Sequence, residues 1–339
     1  MKLSIITTVY KAENDLPRLL ESMMAQKSPE LEFFLIDNGS PDRCGEICRE
    51  YAARDPRFTV YTLEENIGYI RARNLGIEVC DGDYIGFCDS DDYLEPGGYD
   101  RAVERIKETD CDFYIGSYRT VRGEIQTDYV QPYPLGLYER KRIETDILPL
   151  LFGAYRRHDG LMSFEWKHIF RRELLRQLRF LTSIQPYEDQ IFNIDAAMGS
   201  ERIYVDDTIL YNYVQNTASI TAQISRSFSA EEEFSRLVRV YGEKLKRTND
   251  PGLRSYVCSG MLRWLRVIGI NMVYGYQSSA LALGRRFASF ADTALLKQIT
   301  EHALRRDLPE ITFIRLCLKW KQYWLIFLAM KAVKRIRGA

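Results

Sequence analysis

The sequence predicts an α/β fold, a mostly parallel, doubly wound sheet flanked by helices, with an all-helical region at the C-terminal end. Three observations predict it. Short β-branched or aromatic runs alternate with helical periodicity from residue 2 to residue 88. Two of these runs end in aspartate, at Asp37 and Asp89. Beyond Ser225 strand patterns stop and long helical patterns take over.

The elements follow in order. Lys2 to Val9 is a β-branched strand, and the loop Tyr10–Asp15 leads to a helix on which Leu16, Leu19, Leu20, Met23 and Met24 share one face. Phe33–Ile36 is a second strand, closed by the turn Asp37-Asn38-Gly39-Ser40-Pro41-Asp42. A helix over about 45–53, a strand at Thr59–Tyr61, a helix over 71–79 and a strand at Tyr84–Cys88 complete the alternation. In such sheets ligands sit beyond the carboxyl ends of the strands, so Asp37 and Asp89 should share one crevice. From Cys111 to Tyr213 the pattern is mixed, with strands at 113–118 and 202–205. Residues 230–246, 253–273 and 281–305 read as helices, and the boundary falls near residue 226.

Composition excludes several classes. The chain has 339 residues, 46% hydrophobic and 28% charged, with 47 basic and 47 acidic residues, so bulk charge favours no nucleic-acid partner. The N-terminus lacks a secretory signal's apolar core and cleavage site, and the longest late apolar run, Tyr323–Met330, is too short to span a bilayer. Seven scattered cysteines fit a reduced cytoplasmic chain; Cys44 and Cys48 have no second pair to complete a zinc site. His158, His168 and His302 show no metal-ligand spacing.

The stretch DYIGFCDSDDYLEP, residues 83–96, puts Asp89, Asp91 and Asp92 directly behind an apolar strand. Carboxylates so placed suit a hard divalent cation that keeps positions open for phosphates. A solvated turn or helix start is the alternative. A strand feeding Asp-x-Asp, with a second strand ending in Asp37, describes a nucleoside diphosphate pocket better than a turn.

The segments SIITTVYKAENDLPRLLESMMAQ, FFLIDNGSPD, ENIGYIRARNLGIEVCDGDYIGFCDSDDYLEP and PYEDQIFN resemble, in order and spacing, those of family 2 inverting glycosyltransferases of the bacterial surface-polysaccharide type. The resemblance covers residue 1 to about 222. It implies a GT-A domain over 1–225, with a nucleotide-sugar half (1–110) and an acceptor half (111–225), followed by the helical region 226–339. It also implies roles. Thr7, Val9 and Glu13 would line the nucleoside pocket, Asp37 would accept from the uracil ring, and Arg73 would lie near the nucleotide. Asp89 would meet the ribose or a metal-bound water, Asp91 would ligate Mn²⁺ or Mg²⁺ on the diphosphate, and Asp92 would support the sugar or metal shell. Two positions depart from the family pattern: Thr8 stands where proline is usual, and Asn38 where a second aspartate is usual.

The chemistry needs the same inventory. Expelling a nucleoside diphosphate calls for a Lewis acid on the leaving group and a base for the acceptor hydroxyl. One direct displacement inverts the anomeric centre. By the resemblance the base is Asp189 in Pro186-Tyr187-Glu188-Asp189, with Glu188 orienting it or the acceptor. Helix capping, worth up to about 1 kcal/mol, is the alternative for this acidic pair. The run Phe164-Glu165-Trp166-Lys167 matches the polysaccharide branch and would bring Trp166 and Lys167 to the acceptor; Trp166 could equally be core. Tyr211, Tyr213 and Ser219 continue that branch.

Residues 311–339 carry seven Lys/Arg and no acid, interleaved with Trp320, Tyr323, Trp324 and Phe327. This suits a helix in the headgroup region of an anionic membrane, and would place the protein peripherally on the inner face of the cell membrane, near a lipid-linked acceptor. Packing on the catalytic domain or on a second copy in a homodimer is the alternative. The expectation is therefore a metal-dependent hexosyltransferase that moves a sugar from a UDP-sugar donor to a glycan or lipid-linked glycan hydroxyl. Its rivals are a haloacid-dehalogenase-like phosphatase, which also places Asp-x-Asp after a strand, and a nucleotide-sugar-binding protein without turnover.

Overall fold

The structure, a computed structural model, describes residues 1–129, 134–151, 164–182, 188–215, 251–291, 293–303 and 309–336, with single positions between 229 and 245. His158, Pro186, Tyr187 and Ser219 lie outside the described residues. The chain forms two compact units, Met1–Ile143 with Gly160–Ile220, and Glu144–Asp159 with Thr221–Ala339. The segment Glu144–Asp159, expected within the 1–225 domain, groups with the helical unit.

The first unit is built on one sheet: β1 (Leu3–Val9), β2 (Leu31–Asp37), β3 (Phe58–Thr62), β4 (Tyr84–Asp89), β5 (Tyr93–Leu94), β6 (Phe113–Arg122), β7 (Ile125–Asp128), β8 (Gly136–Glu139), β9 (His168–Arg171) and β10 (Arg202–Val214). The order is β3-β2-β1-β4-β9-β6-β10-β5, with β7 paired to β6 and β8 to β10. β1 to β4 are mutually parallel, as are β6 and β10; β9 enters antiparallel between β4 and β6. The near-continuous apolar character of β1, β2 and β4 is what a parallel strand covered on both faces requires.

Helices α1 (Leu16–Met24), α2 (Cys44–Arg54) and α3 (Tyr69–Val79) connect the parallel strands, and α4 (Gly98–Thr109) leads into β6. α1 has no side-chain cap, yet buries Leu16, Leu19, Leu20 and Met23. Burial at about 1.5–3 kcal/mol for each side chain outweighs a missing cap of about 1 kcal/mol, so packing holds this helix. α4 buries Tyr99, Ala102, Val103 and Ile106, a face the sequence reading did not pick out. The strand expected at 202–205 continues to Val214, because two register shifts against β6, after Val205 and after Ile209, let it follow β6 beyond its first pairing. Helix α5 (Glu188–Gly199) precedes it.

In the second unit, the described helices are the turn Leu148–Leu151 and α6 (Pro251–Gly275), α7 (Ala280–Phe290), α8 (Thr293–His302), α9 (Pro309–Lys319) and α10 (Tyr323–Ile336). The long helix expected over 281–305 is two, because Ala291 leaves the helical region with ψ 124°. α6 packs on α8, α9 and α10, and the 148–151 turn packs on α6. α7 lies so close to α10 that a Cβ at Gly284 would stand 2.7 Å from the Trp324 amide nitrogen. Among the described residues no helix is long and apolar enough to cross a membrane.

Candidate active site

The parallel register brings the two acidic strand ends to one edge. Val9 is level with Asp37, and Thr8 with Asp89. β1 lies between β2 and β4, so the two aspartates are two strand spacings apart, about 10 Å.

Asp37 is buried, and one oxygen accepts from the Ser40 amide at 3.1 Å. Burial nevertheless pushes its carboxyl above the ordinary range. Gly45, near the start of α2, leaves it room: a Cβ there would stand 2.6 Å from Asp37 Oδ2. Asn38 anchors the loop ahead of α3, accepting from the Ile67 amide at 3.0 Å and donating to Asn66 at 3.2 Å. Thr7 and Val9 are fully buried, and Thr7 Oγ1 has no hydrogen-bond partner. Glu13 accepts from the Arg43 amide at 3.1 Å, which ties the first loop to the start of α2.

The three aspartates behind β4 separate by environment. Asp91 stands exposed on the turn, yet desolvation by its surroundings and then the Asp89 charge push it up to about 6. Asp92 is buried, with one oxygen accepting from the Tyr211 hydroxyl at 2.8 Å and the other from the Val214 amide at 2.7 Å. Both oxygens are thus engaged inside the protein, and Asp92 holds the turn against β10 rather than facing outward. The Tyr211 hydroxyl also accepts from the Asp89 amide at 2.9 Å.

Asp89 joins a second group. Arg73, on α3, donates through Nη2 to Asp89 at 2.7 Å and through Nη1 to Asp189 at 3.0 Å. Glu165, fully buried, brings Oε1 to 2.5 Å from the same Nη2. Neither Glu165 oxygen has an aligned hydrogen-bond donor, so this is a contact of charges. Burial works against the guanidinium, but Glu165, Asp89 and Asp189 outweigh it and hold the group protonated. Tyr69, one helical turn before Arg73, donates its hydroxyl to Glu188. Burial, and then the Glu165 charge, raise Asp189 well above the usual carboxylate range against the pull of Arg73; burial also raises Glu188. A fifth of the Asp189 side chain remains exposed (20%).

For Trp166 the core alternative fits the structure, and Lys167 is enclosed with it. Trp166 is buried and stacks on Tyr211 at 4.3 Å, and Lys167 is buried with its ammonium 4.8 Å from the Tyr129 ring. Neither presents a face to an acceptor, because Trp166 packs among Tyr118 of β6 and Tyr211 and Tyr213 of β10, and Lys167 lies over the Tyr118 and Tyr129 rings. Burial pushes the Lys167 amine down to about 7. His168 is likewise buried, beside Phe113, and His302 is exposed on α8.

Sequence reasoning therefore missed Tyr69, Glu165 and Tyr211 as partners of the carboxylates. Two signals were available. Tyr69 and Arg73 are four residues apart on one helix and so share a face. Glu165 is an acid between Phe164 and Trp166, where only a buried cation makes it tolerable.

A mostly parallel sheet with an antiparallel insertion, acidic residues beyond its strand ends and helices after it defines a GT-A fold. Residues 4–178, more than half of the chain, match the family described as Glycosyl transferase family 2, and the chain belongs to that family. It is 33% identical over 223 residues to the glycosyltransferase EpsJ of Bacillus subtilis (strain 168), a match covering 64% of this chain and 62% of that one. It is 26% identical over 221 residues to the poly(ribitol-phosphate) beta-glucosyltransferase of Bacillus spizizenii, covering 63% of this chain and 32% of that one. The chain thus spans less than two thirds of either relative. The crystal structure of S. aureus TarS 1–349 in complex with UDP-GlcNAc shares the fold, with a TM-score of 0.72 at 18% identity over 98% of this chain and 92% of that one.

Proposed function

We propose that the chain is an inverting, metal-dependent hexosyltransferase that moves a sugar from a UDP-sugar to a hydroxyl of a glycan or lipid-linked glycan in bacterial surface-polysaccharide assembly. The observation that carries this reading is the Arg73 bridge, which ties Asp89 at the end of β4 to Asp189 at the start of α5. Leaving-group side and acceptor side of a displacement are thereby held by one side chain. The fold shared with TarS in its UDP-GlcNAc complex supports a UDP donor.

Among the described residues no group of three or more His, Cys, Asp and Glu could hold a cation alone. Two carboxylates, Asp91 and Asp89, do suit Mg²⁺ or Mn²⁺ bound together with substrate phosphates, since such ions commonly take one or two carboxylates and complete their shell from the nucleotide. The cation would supply charge stabilisation to the departing diphosphate. Asp37 would receive the uracil N–H, with Thr7, Val9 and Glu13 shaping the wall beside it.

Asp189 would accept the acceptor's proton as that oxygen forms its bond to the anomeric carbon and the bond to UDP breaks, the electron pair leaving with UDP. Its raised affinity for a proton suits the task. Glu188, held by Tyr69, would orient the acceptor. Asp92 would set the turn that carries Asp91. Family membership does not favour the phosphatase reading, and the presence of Asp189, joined to Asp89 through Arg73, argues against a binding protein without turnover.

We place the protein in the cytoplasm, peripherally on the inner membrane face. The corner between α9 and α10 supports this, with Trp320 (69% exposed), Trp324 and Leu328 exposed beside Lys319 and Lys321. A second copy is the other partner such a face could take.

The test is thermal-shift screening of UDP-sugars with Mn²⁺, followed by donor turnover in wild type and Asp189→Asn. The variant should keep donor binding and lose about 10²–10⁴-fold in turnover. Equal turnover in the two proteins removes the base assignment, and no shift with any nucleotide removes the donor reading.

A further inference from the structure

The Arg73 cluster is unbalanced. One guanidinium faces Asp89, Glu165 and Asp189, while Glu188 lies alongside, so formal carboxylates outnumber the cation. Glu165 is the costly member. It is fully buried, has no donor on either oxygen while its neighbours are ionised, lies within hydrogen-bond reach of Asp189, and sits on the Glu165–Lys167 turn that leads into β9. A buried acid with no aligned donor is expensive unless a cation compensates it, and its compensation here is Arg73.

We propose that Glu165 is a positioning residue for the transfer: buried against Arg73, it fixes the guanidinium between Asp89 and Asp189 and takes up charge that would otherwise neutralise Asp189. The proposal rests on Asp189 being the proton acceptor.

A guanidinium 3.0 Å from a carboxylate stabilises its ionised form and makes it a poor proton acceptor. Glu165, 2.5 Å from the other guanidinium nitrogen, offsets that pull with a charge that cannot move away, because its side chain is fully enclosed. The groups facing Asp189 are Glu188 on its own helix, Arg73 and Tyr69 from α3, and Glu165 from the turn before β9. Glu188 is engaged by Tyr69, so Glu165 and Asp89 balance Arg73, and of these two Glu165 is the fully enclosed one.

The test uses the full chain with Glu165→Gln and Glu165→Asp. UDP release from UDP-GlcNAc with Mn²⁺ gives kcat and donor KM against pH. Carboxyl resonances of ¹³C-aspartate-labelled, ligand-free protein give the Asp189 titration midpoint, assigned by its disappearance in Asp189→Asn. In Glu165→Gln the midpoint and the acid limb of kcat should fall by about one pH unit or more. kcat itself should drop by about tenfold to a hundredfold at unchanged donor KM. Glu165→Asp, which keeps the charge but shortens the reach, should lower kcat while leaving the midpoint near wild type. A Glu165→Gln midpoint equal to wild type overturns the proposal, as does a Glu165→Asp variant with wild-type kcat should the glutamine variant not fold. If wild type releases no UDP from UDP-GlcNAc, UDP-glucose or UDP-galactose yet the midpoint falls in Glu165→Gln, the pairing stands and the transferase reading is what fails.

Discussion

The Tyr211 hydroxyl donates to Asp92 across 2.8 Å while accepting the Asp89 amide at 2.9 Å. One phenol on β10 therefore fixes both ends of the aspartate turn. Tyr211→Phe leaves the Asp89 amide and one Asp92 oxygen without this partner in a buried place, costing about 1–3 kcal/mol. Chemical denaturation should show that loss, and the donor KM should rise because the turn carrying Asp91 loosens. An unchanged KM with lowered stability would show that the turn is held by Val214 alone.

The nucleoside pocket has its own handle in Gly45. In Gly45→Ala the new methyl would press on Asp37 Oδ2, so the carboxylate must shift. UDP affinity measured by calorimetry should fall by about tenfold, the worth of one misplaced hydrogen bond to a charged group. Affinity equal to wild type would argue that Asp37 does not meet the base.

Asp91 gives a pH dependence whose sign is fixed. Its carboxyl, pushed up to about 6, is protonated below that value and must lose the proton to take a cation. Mn²⁺ affinity in the presence of UDP should therefore weaken as pH falls through about 6, by about tenfold one unit below. Asp91→Asn should bind poorly at every pH and flatten the curve. Chelation should stop turnover, and Mn²⁺ or Mg²⁺ should restore it.

Membrane association is best tested on the surface of α9 and α10. Ile311, Ile314, Tyr323 and Phe327 are buried, so deleting 311–339 would uncover the helical core and confuse the result. Lys319→Glu with Lys321→Glu instead changes exposed charge. At about 1 kcal/mol for each basic residue near an anionic surface, binding to phosphatidylglycerol vesicles should weaken by about thirtyfold or more, with nucleotide binding intact. Equal vesicle binding by the double variant would end the membrane proposal.

The parallel half of the sheet was legible because each strand from β1 to β4 declares itself locally, through an apolar run ended by a turn or an aspartate. The rest depends on partners distant in sequence. β5 has two residues and β9 four, too short for a period, and each is defined by the strand it meets. The acidic positions were legible for the same reason as β4, since they follow its end. Their division of labour was not, because Asp92 turns inward only through Tyr211 and Val214, more than a hundred residues on. Glu165 was hidden because its meaning is a contact with Arg73, on an element ninety-two positions earlier in number but adjacent in space. Trp166 and Lys167 show the converse: an aromatic and a cation whose run suggested a sugar site are enclosed among Tyr118, Tyr129 and Tyr211.

The grouping of Glu144–Asp159 with Thr221–Ala339 bears on how this chain could be taken apart. The helical unit is stitched in rather than appended: the polypeptide enters it, returns to complete the sheet, and then enters it again. Ile147 and Leu148 are fully buried, and the turn Leu148–Leu151 packs on α6. A single cut near residue 225 would leave that stitch behind with its apolar side chains uncovered. Exchanging the C-terminal helices for those of a relative would work only if the short earlier segment travels with them, so the unit of inheritance is two pieces of chain, not one tail.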